Sequence, residues 1–233
     1  MAPKLKQEHR LMKARRPEPL HRTGSVIVPP SLSEKYRPHS LQDFVGLEKR
    51  KKVLAKFAEN PFPTAAFLFV SPSGTGKTSA ALALCEMIHG ELHHTPSQSC
   101  NVATVEGVTR QCHYVPRSNT LHVVLVDEAD QMTPQAQLAF LSKLDGTAFP
   151  PQTAFIFTAN DTERLQDRFL SRCMVLQFSS HVMAKEAATL LERIWLAEAG
   201  ETAEKPNFLR MVQDRKNNIR DAVNSLQVEL LAL

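Results

Sequence analysis

Apolar residues fall in two rhythms along this chain, and the change of rhythm divides it. Short unbroken runs occur at Ala65–Val70, at Leu121–Val126, at Ala154–Thr158 and at 174–178 (MVLQF). Their length and their β-branched and aromatic content are those of buried strands. Between them lie stretches of helical period. One runs from about Thr78 to His89, and one covers 100–115 with Val102, Val105 and Val108 on one side; a third runs from Pro134 to about Leu144. Upstream, residues 47–59 put Leu47, Val53, Leu54 and Phe57 around one helical face, and Asn60-Pro61-Phe62-Pro63 ends that helix. Alternating strands and helices predict an α/β fold with a parallel sheet covered on both faces. After Ser179 no strand pattern recurs. Residues 182–199 form one amphipathic helix and 206–233 hold two more, so a small all-helical domain is expected there. The boundaries expected are 1–30, 31–179 and 180–233.

Composition narrows the class. The chain has 233 residues, 42% of them hydrophobic, enough for a sizeable core. No apolar run reaches membrane-spanning length, and the N-terminus has no apolar segment of the secretory type. The net charge of +4 is concentrated in residues 1–30, where Lys4, Lys6, Arg10, Lys13, Arg15, Arg16 and Arg22 face only Glu8 and Glu18. This basic arm is expected to be disordered, either touching nucleic-acid phosphates or serving as a solubilising tail. An organelle transit peptide is the lesser reading. Cys85, Cys100, Cys112 and Cys173 are scattered, as in a reducing compartment. Cys100 and Cys112 have His93, His94 and His113 near them in sequence. There is no CxxC pair, however, and the spacings match no common zinc module, so these residues read as ordinary packed or surface side chains.

The candidate chemistry sits at the carboxyl ends of the predicted strands. Residues 71–78, SPSGTGKT, follow the first apolar run and open a helix. A strand feeding a Gly-rich turn into a helix aims backbone N–H groups of Ser73, Gly74, Thr75, Gly76 and Ser79 at phosphates. Lys77 reaches the β/γ oxygens, and the Thr78 hydroxyl binds Mg²⁺. The pattern asks for Gly at its first position, and Ser71 stands there. The second run ends in Asp127-Glu128-Ala129-Asp130, an acidic strand tip fifty residues after Lys77. In that place Asp127 serves the Mg²⁺ shell and Glu128 orients the attacking water. The third run ends at Asn160, placed to hydrogen-bond the γ-phosphate or the water. A DEAD-box helicase would need a second nucleotide-type domain and its HRxGR-type motif, and neither is here.

Together these residues resemble the AAA+ ATPases, and among them the clamp-loader group: replication factor C small subunits and the bacterial DNA polymerase III gamma and delta-prime subunits. The resemblance covers about Leu32 to Gln227. Ser33-Glu34-Lys35-Tyr36-Arg37-Pro38, with Asp43-Phe44-Val45-Gly46, looks like the family's adenine-side segment, which implies that Tyr36, Arg37 and Val45 border the base. DEADQMTPQAQLAFLSKLD resembles its Walker B strand and central helix. Asn160 matches sensor 1. Ser171-Arg172-Cys173 is similar to the clamp-loader signature, which implies that Arg172 is a finger reaching a neighbouring subunit's ATP. NNIRDAVNSLQ is similar to the lid helix whose arginine, here Arg220, senses the γ-phosphate in its own subunit. The zinc module of some bacterial relatives is not present, and with the chain ending at Leu233 a collar domain is expected to be lacking.

The resemblance therefore implies an ATPase of the clamp-loader type, using ATP and Mg²⁺ and acting in DNA replication or repair. Its partners would be identical or different AAA+ subunits, DNA and a sliding clamp, with no membrane involved. The location expected is intracellular: cytoplasmic in a prokaryote, nuclear in a eukaryote. Two other readings stand beside it, a stand-alone remodeller or motor and a scaffold that binds nucleotide without hydrolysing it.

Overall fold

The computed structural model describes residues 30–61, 64–117, 120–178 and 184–233. The basic arm and the expected boundary at 179–180 lie outside them, Pro30 excepted. The elements begin with the short helix α1 (Leu32–Lys35), then α2 (Glu48–Glu59), β1 (Thr64–Val70) and α3 (Lys77–Met87). β2 (Glu91–Pro96), α4 (Val102–Gln111), β3 (His122–Asp127), α5 (Pro134–Lys143) and β4 (Thr153–Ala159) follow. The short α6 (Asp167–Leu170) and β5 (Met174–Gln177) complete the sheet region, and α7 (Ala184–Ala199), α8 (Phe208–Asp214) and α9 (Ile219–Leu231) close the chain.

The five strands are parallel in the order β2-β3-β4-β1-β5. Side chains alternate across a strand, so each central strand feeds two cores. Phe67, Phe69, Val123, Leu125 and Ile156 pack on one face under α2 and α3. Leu68, Val70, Val124, Val126, Phe155 and Phe157 pack on the other with α4, α5 and α6. Strands buried on both sides have no polar face, which is why they read as unbroken apolar runs. A third core, around Leu191, Ile194, Trp195, Val212, Val223 and Leu226, unites α7, α8 and α9, and Leu32 of α1 inserts into it. This is the all-helical lid that follows the sheet.

Three expectations need correction. The sheet has a strand that the apolar pattern does not announce, β2, whose residues ELHHTP are half-buried at most except for Thr95. It is an edge strand, and its inward row of Glu91, His93 and Thr95 is polar, so no apolar run marks it. Val53 is 44% exposed and not on the buried face of α2, which is carried by Leu54 and Phe57. Val102, 42% exposed, likewise points away from the core that holds Val105 and Val108, because it starts the first turn of α4.

Candidate active site

Register brings the site together. Val70 pairs with Ala159, and Val126 with Phe157, so the carboxyl ends of β1, β4 and β3 finish side by side. The turn after β1 needs left-handed backbone at Gly74 (φ +76°) and Gly76 (φ +93°). A Cβ on Gly76 would stand 2.9 Å from the Phe44 ring, and one on Gly74 would collide with Asn218 at the start of α9. Ser71 is not among the positive-φ residues, so the missing glycine is not needed for backbone shape. Its hydroxyl is hydrogen-bonded to Thr75 Oγ1, which tightens the turn.

Lys77 is buried at the first turn of α3 and donates to Ser71 O (2.6 Å), Pro72 O (3.1 Å) and Asn160 Oδ1 (3.1 Å). Burial pushes its ammonium below the usual lysine range; Asp130 and Asp127 pull it back up, and Arg220 adds to the depression. Thr78 donates its hydroxyl to Asp127 Oδ1 at 2.8 Å. Two hard oxygen donors side by side suit Mg²⁺. Glu128 is exposed and left-handed (φ 56°, ψ 47°), a conformation that costs a non-glycine residue on the order of 1–3 kcal/mol.

Two buried residues that the motifs do not single out brace this arrangement. Thr158 donates to Asp127 Oδ1 (2.5 Å) and accepts from Glu128 N (3.0 Å), tying both acidic residues to β4. Asp130 accepts from Asn160 N at 3.1 Å. From the edge, His94 Nε2 comes within 4.0 Å of Asp127.

A cavity of about 270 Å³ opens beside the turn, between the sheet and the lid. Ser33, Tyr36, Arg37, Val45, Gly74, Thr75, Gly76, Ser79 and Arg220 line it, and so do Leu190 and Arg193, which sequence reading missed. Arg193 lies on an amphipathic helix, where an arginine reads as solvated. Arg37 Nε donates to Ser79 Oγ at 3.1 Å. Tyr36 donates its phenol to Glu198 of α7 at 2.5 Å, and burial, then Glu198, pushes its pKa up to about 12. Arg220 joins the turn through its backbone, N–H to Gly74 O at 3.4 Å. Arg172 stands apart from all of these. It is exposed, with Nη1 on Arg168 O (3.0 Å) and Nη2 3.6 Å from Asp145.

Residues 67–180 match the model of the ATPase family associated with various cellular activities. The chain is similar to the replication factor C small subunit of Thermofilum pendens, 32% identical over 204 residues, which are 83% of this chain and 61% of that protein. Replication factor C small subunit 1 of Pyrobaculum islandicum is 30% identical over 208 residues, 84% of this chain and 60% of its own length. The chain thus spans less than two thirds of these relatives. In fold it is similar to Thermotoga maritima RuvB, the Holliday junction branch migration motor, with a TM-score of 0.68 at 18% identity, covering 82% of this chain and 64% of that one. No helix among the described residues is long and apolar enough to cross a membrane. Fold, motif order and relatives agree: residues 67–180 are an AAA-family ATPase domain, and the chain is similar to replication factor C small subunits.

Proposed function

We propose that the chain binds ATP with Mg²⁺ in this cleft and hydrolyses it to ADP and phosphate, as one subunit of an assembly that acts with a sliding clamp on DNA inside the cell. The observation that carries this reading is the continuous hydrogen-bonded set Thr78–Asp127–Thr158 beside Lys77–Asn160, built from the first turn of α3 and the tips of the adjacent strands β3 and β4. In this reading Tyr36, Arg37 and Val45 flank the base, and the backbone of Ser73 to Ser79 holds the phosphates. Lys77 exchanges its carbonyl partners for β/γ oxygens, and Arg220 adds a second positive charge from the lid. Thr78 and Asp127 hold Mg²⁺, which offsets phosphate charge. Glu128 orients the water, and Asn160 fixes the group being transferred.

Arg172 is the residue offered to a neighbour, since it is exposed and apart from its own cleft. For DNA, the support is a shallow depression between α4 and α5 lined by Arg110, His113 and Lys143, with Glu106 beside them. If phosphates bind there, the logarithm of affinity falls with the logarithm of salt, and a flat plot refutes the contact.

Glu128→Gln tests the chemistry. The variant should keep ATP affinity while turnover drops by about 10²–10⁴, the range of a lost general base. Unchanged turnover would remove Glu128 from the reaction, and loss of binding would show that the strained turn, not the carboxylate, was disturbed.

A further inference from the structure

At the other end of the sheet from the phosphate turn, three donor atoms from three elements converge. His93 comes from β2, His122 is the first residue of β3, and Cys112 caps the end of α4. One ligand atom from each lies within 4.8 Å of the others. Cys112 and His122 are buried, at 0% and 2% exposure, and His93 is half-buried.

The ring nitrogens give the cluster its meaning. His122 Nε2 is 2.9 Å from Tyr114 O, and a carbonyl only accepts, so Nε2 carries the proton. In the neutral ring Nδ1 therefore holds a lone pair, and it faces His93 Nε2 at 2.9 Å. Fixing one nitrogen on a backbone carbonyl and leaving the other lone pair inward is how metal-ligating histidines are oriented. Glu91 places Oε2 3.9 Å from His122 Nδ1, near enough to supply a fourth donor.

The strand itself is a second, independent observation. Residues of β2 that turn inward are Glu91, His93 and Thr95, so the edge is not held by apolar burial. We propose that His93, Cys112 and His122 bind a divalent transition metal of the zinc class, which clips the edge strand to β3 and to the end of α4. Two imidazoles and a thiolate are the donors that Zn²⁺ takes, with Glu91 or water completing four. Loading replaces the Cys112 thiol proton, which leaves to solvent, while the proton that His93 Nε2 shares with His122 Nδ1 moves to His93 Nδ1, so that both rings offer a lone pair and stay neutral. From His122 to Asp127 the strand runs roughly 16 Å at about 3.3 Å per residue, so the ion is structural and takes no part in phosphate chemistry.

Co²⁺ added to the metal-free full chain is the test, since its spectrum reports both geometry and sulfur. One equivalent should give the visible bands of four-coordinate Co²⁺ and a thiolate-to-metal charge-transfer band, and Zn²⁺ should erase both. Cys112→Ser should lose the charge-transfer band, whereas Cys100→Ser, also buried, should keep it. His93→Gln, on the half-exposed edge, should keep its far-ultraviolet circular dichroism and its ATP affinity yet bind Co²⁺ at least about tenfold more weakly. That variant decides the matter if Cys112→Ser does not fold. No bands in the folded wild-type chain, bands intact in Cys112→Ser, or unaltered Co²⁺ affinity in His93→Gln would each reduce the cluster to a hydrogen-bonded ring pair and overturn the proposal.

Discussion

Thr158 ranks with the motif residues in consequence, although no motif contains it. Its hydroxyl donates to Asp127 and accepts from the Glu128 amide, so one buried atom sets both acidic side chains at the strand tip. In sequence it is one β-branched residue in an apolar strand, indistinguishable from packing. Thr158→Val keeps the shape and removes the hydroxyl, leaving the Glu128 amide without this acceptor. An orphaned buried group costs on the order of 1–3 kcal/mol. Part of that cost should fall on turnover, since the amide fixes a strained residue. We expect ATP affinity near that of the parent, turnover lower by about tenfold, which corresponds to about 1.4 kcal/mol, and recovery in Thr158→Ser. Steady-state rates with nucleotide titration read all three; an equal loss in the Ser variant would assign the effect to packing. Asp127 and Asn160 stand out in the sequence as polar residues at the ends of apolar runs, and Lys77 and Thr78 as part of the Gly-rich turn.

Elements were legible to the extent that their burial is one-sided or complete. β1, β3 and β4 are buried on both faces and announce themselves by unbroken apolar runs. β2 does not, because neither of its rows is apolar. The lid was legible as helices, but its wall of the cavity was not: Leu190 and Arg193 of α7 are placed there by how α7 packs on α8 and α9. That packing centres on Trp195, 2% exposed, with its ring 6.3 Å from Phe208. Trp195→Ala should destabilise the lid by about 3–5 kcal/mol and weaken ATP binding, since one side of the cavity loses its support. Trp195 Nε1 is buried without a hydrogen-bond partner among the described residues, so Trp195→Phe should cost less than the alanine change. Thermal melts of the pair check the order, and equal losses would mean that the indole nitrogen finds a partner.

For the molecule as a whole the question is whether one copy of this site is sufficient. Lys77, Thr78, Asp127, Glu128, Asn160 and Arg220 gather at one cleft, and Arg172 does not. It is exposed, and among the described residues its guanidinium is held by Arg168 O and by Asp145, a carboxylate that is itself largely exposed. An exposed ion pair of this kind is worth about 0–1 kcal/mol, so the guanidinium is easily released to a better anion. If the neighbour's phosphates are that anion, Arg172→Ala should lower turnover by up to about 10³–10⁵ without changing ATP affinity. A complementation experiment separates this from a role within one chain. Glu128→Gln retains its arginine but has no working water-orienting carboxylate, and Arg172→Ala has the reverse defect. Mixed in equal amounts at assembling concentrations, the two should recover a sizeable fraction of parental turnover, because an intact finger then meets an intact cleft across their shared seam. Diluting the mixture below assembly should abolish the recovery. Two inactive proteins that stay inactive when mixed, under conditions where they co-assemble, would place Arg172 in service of its own cleft.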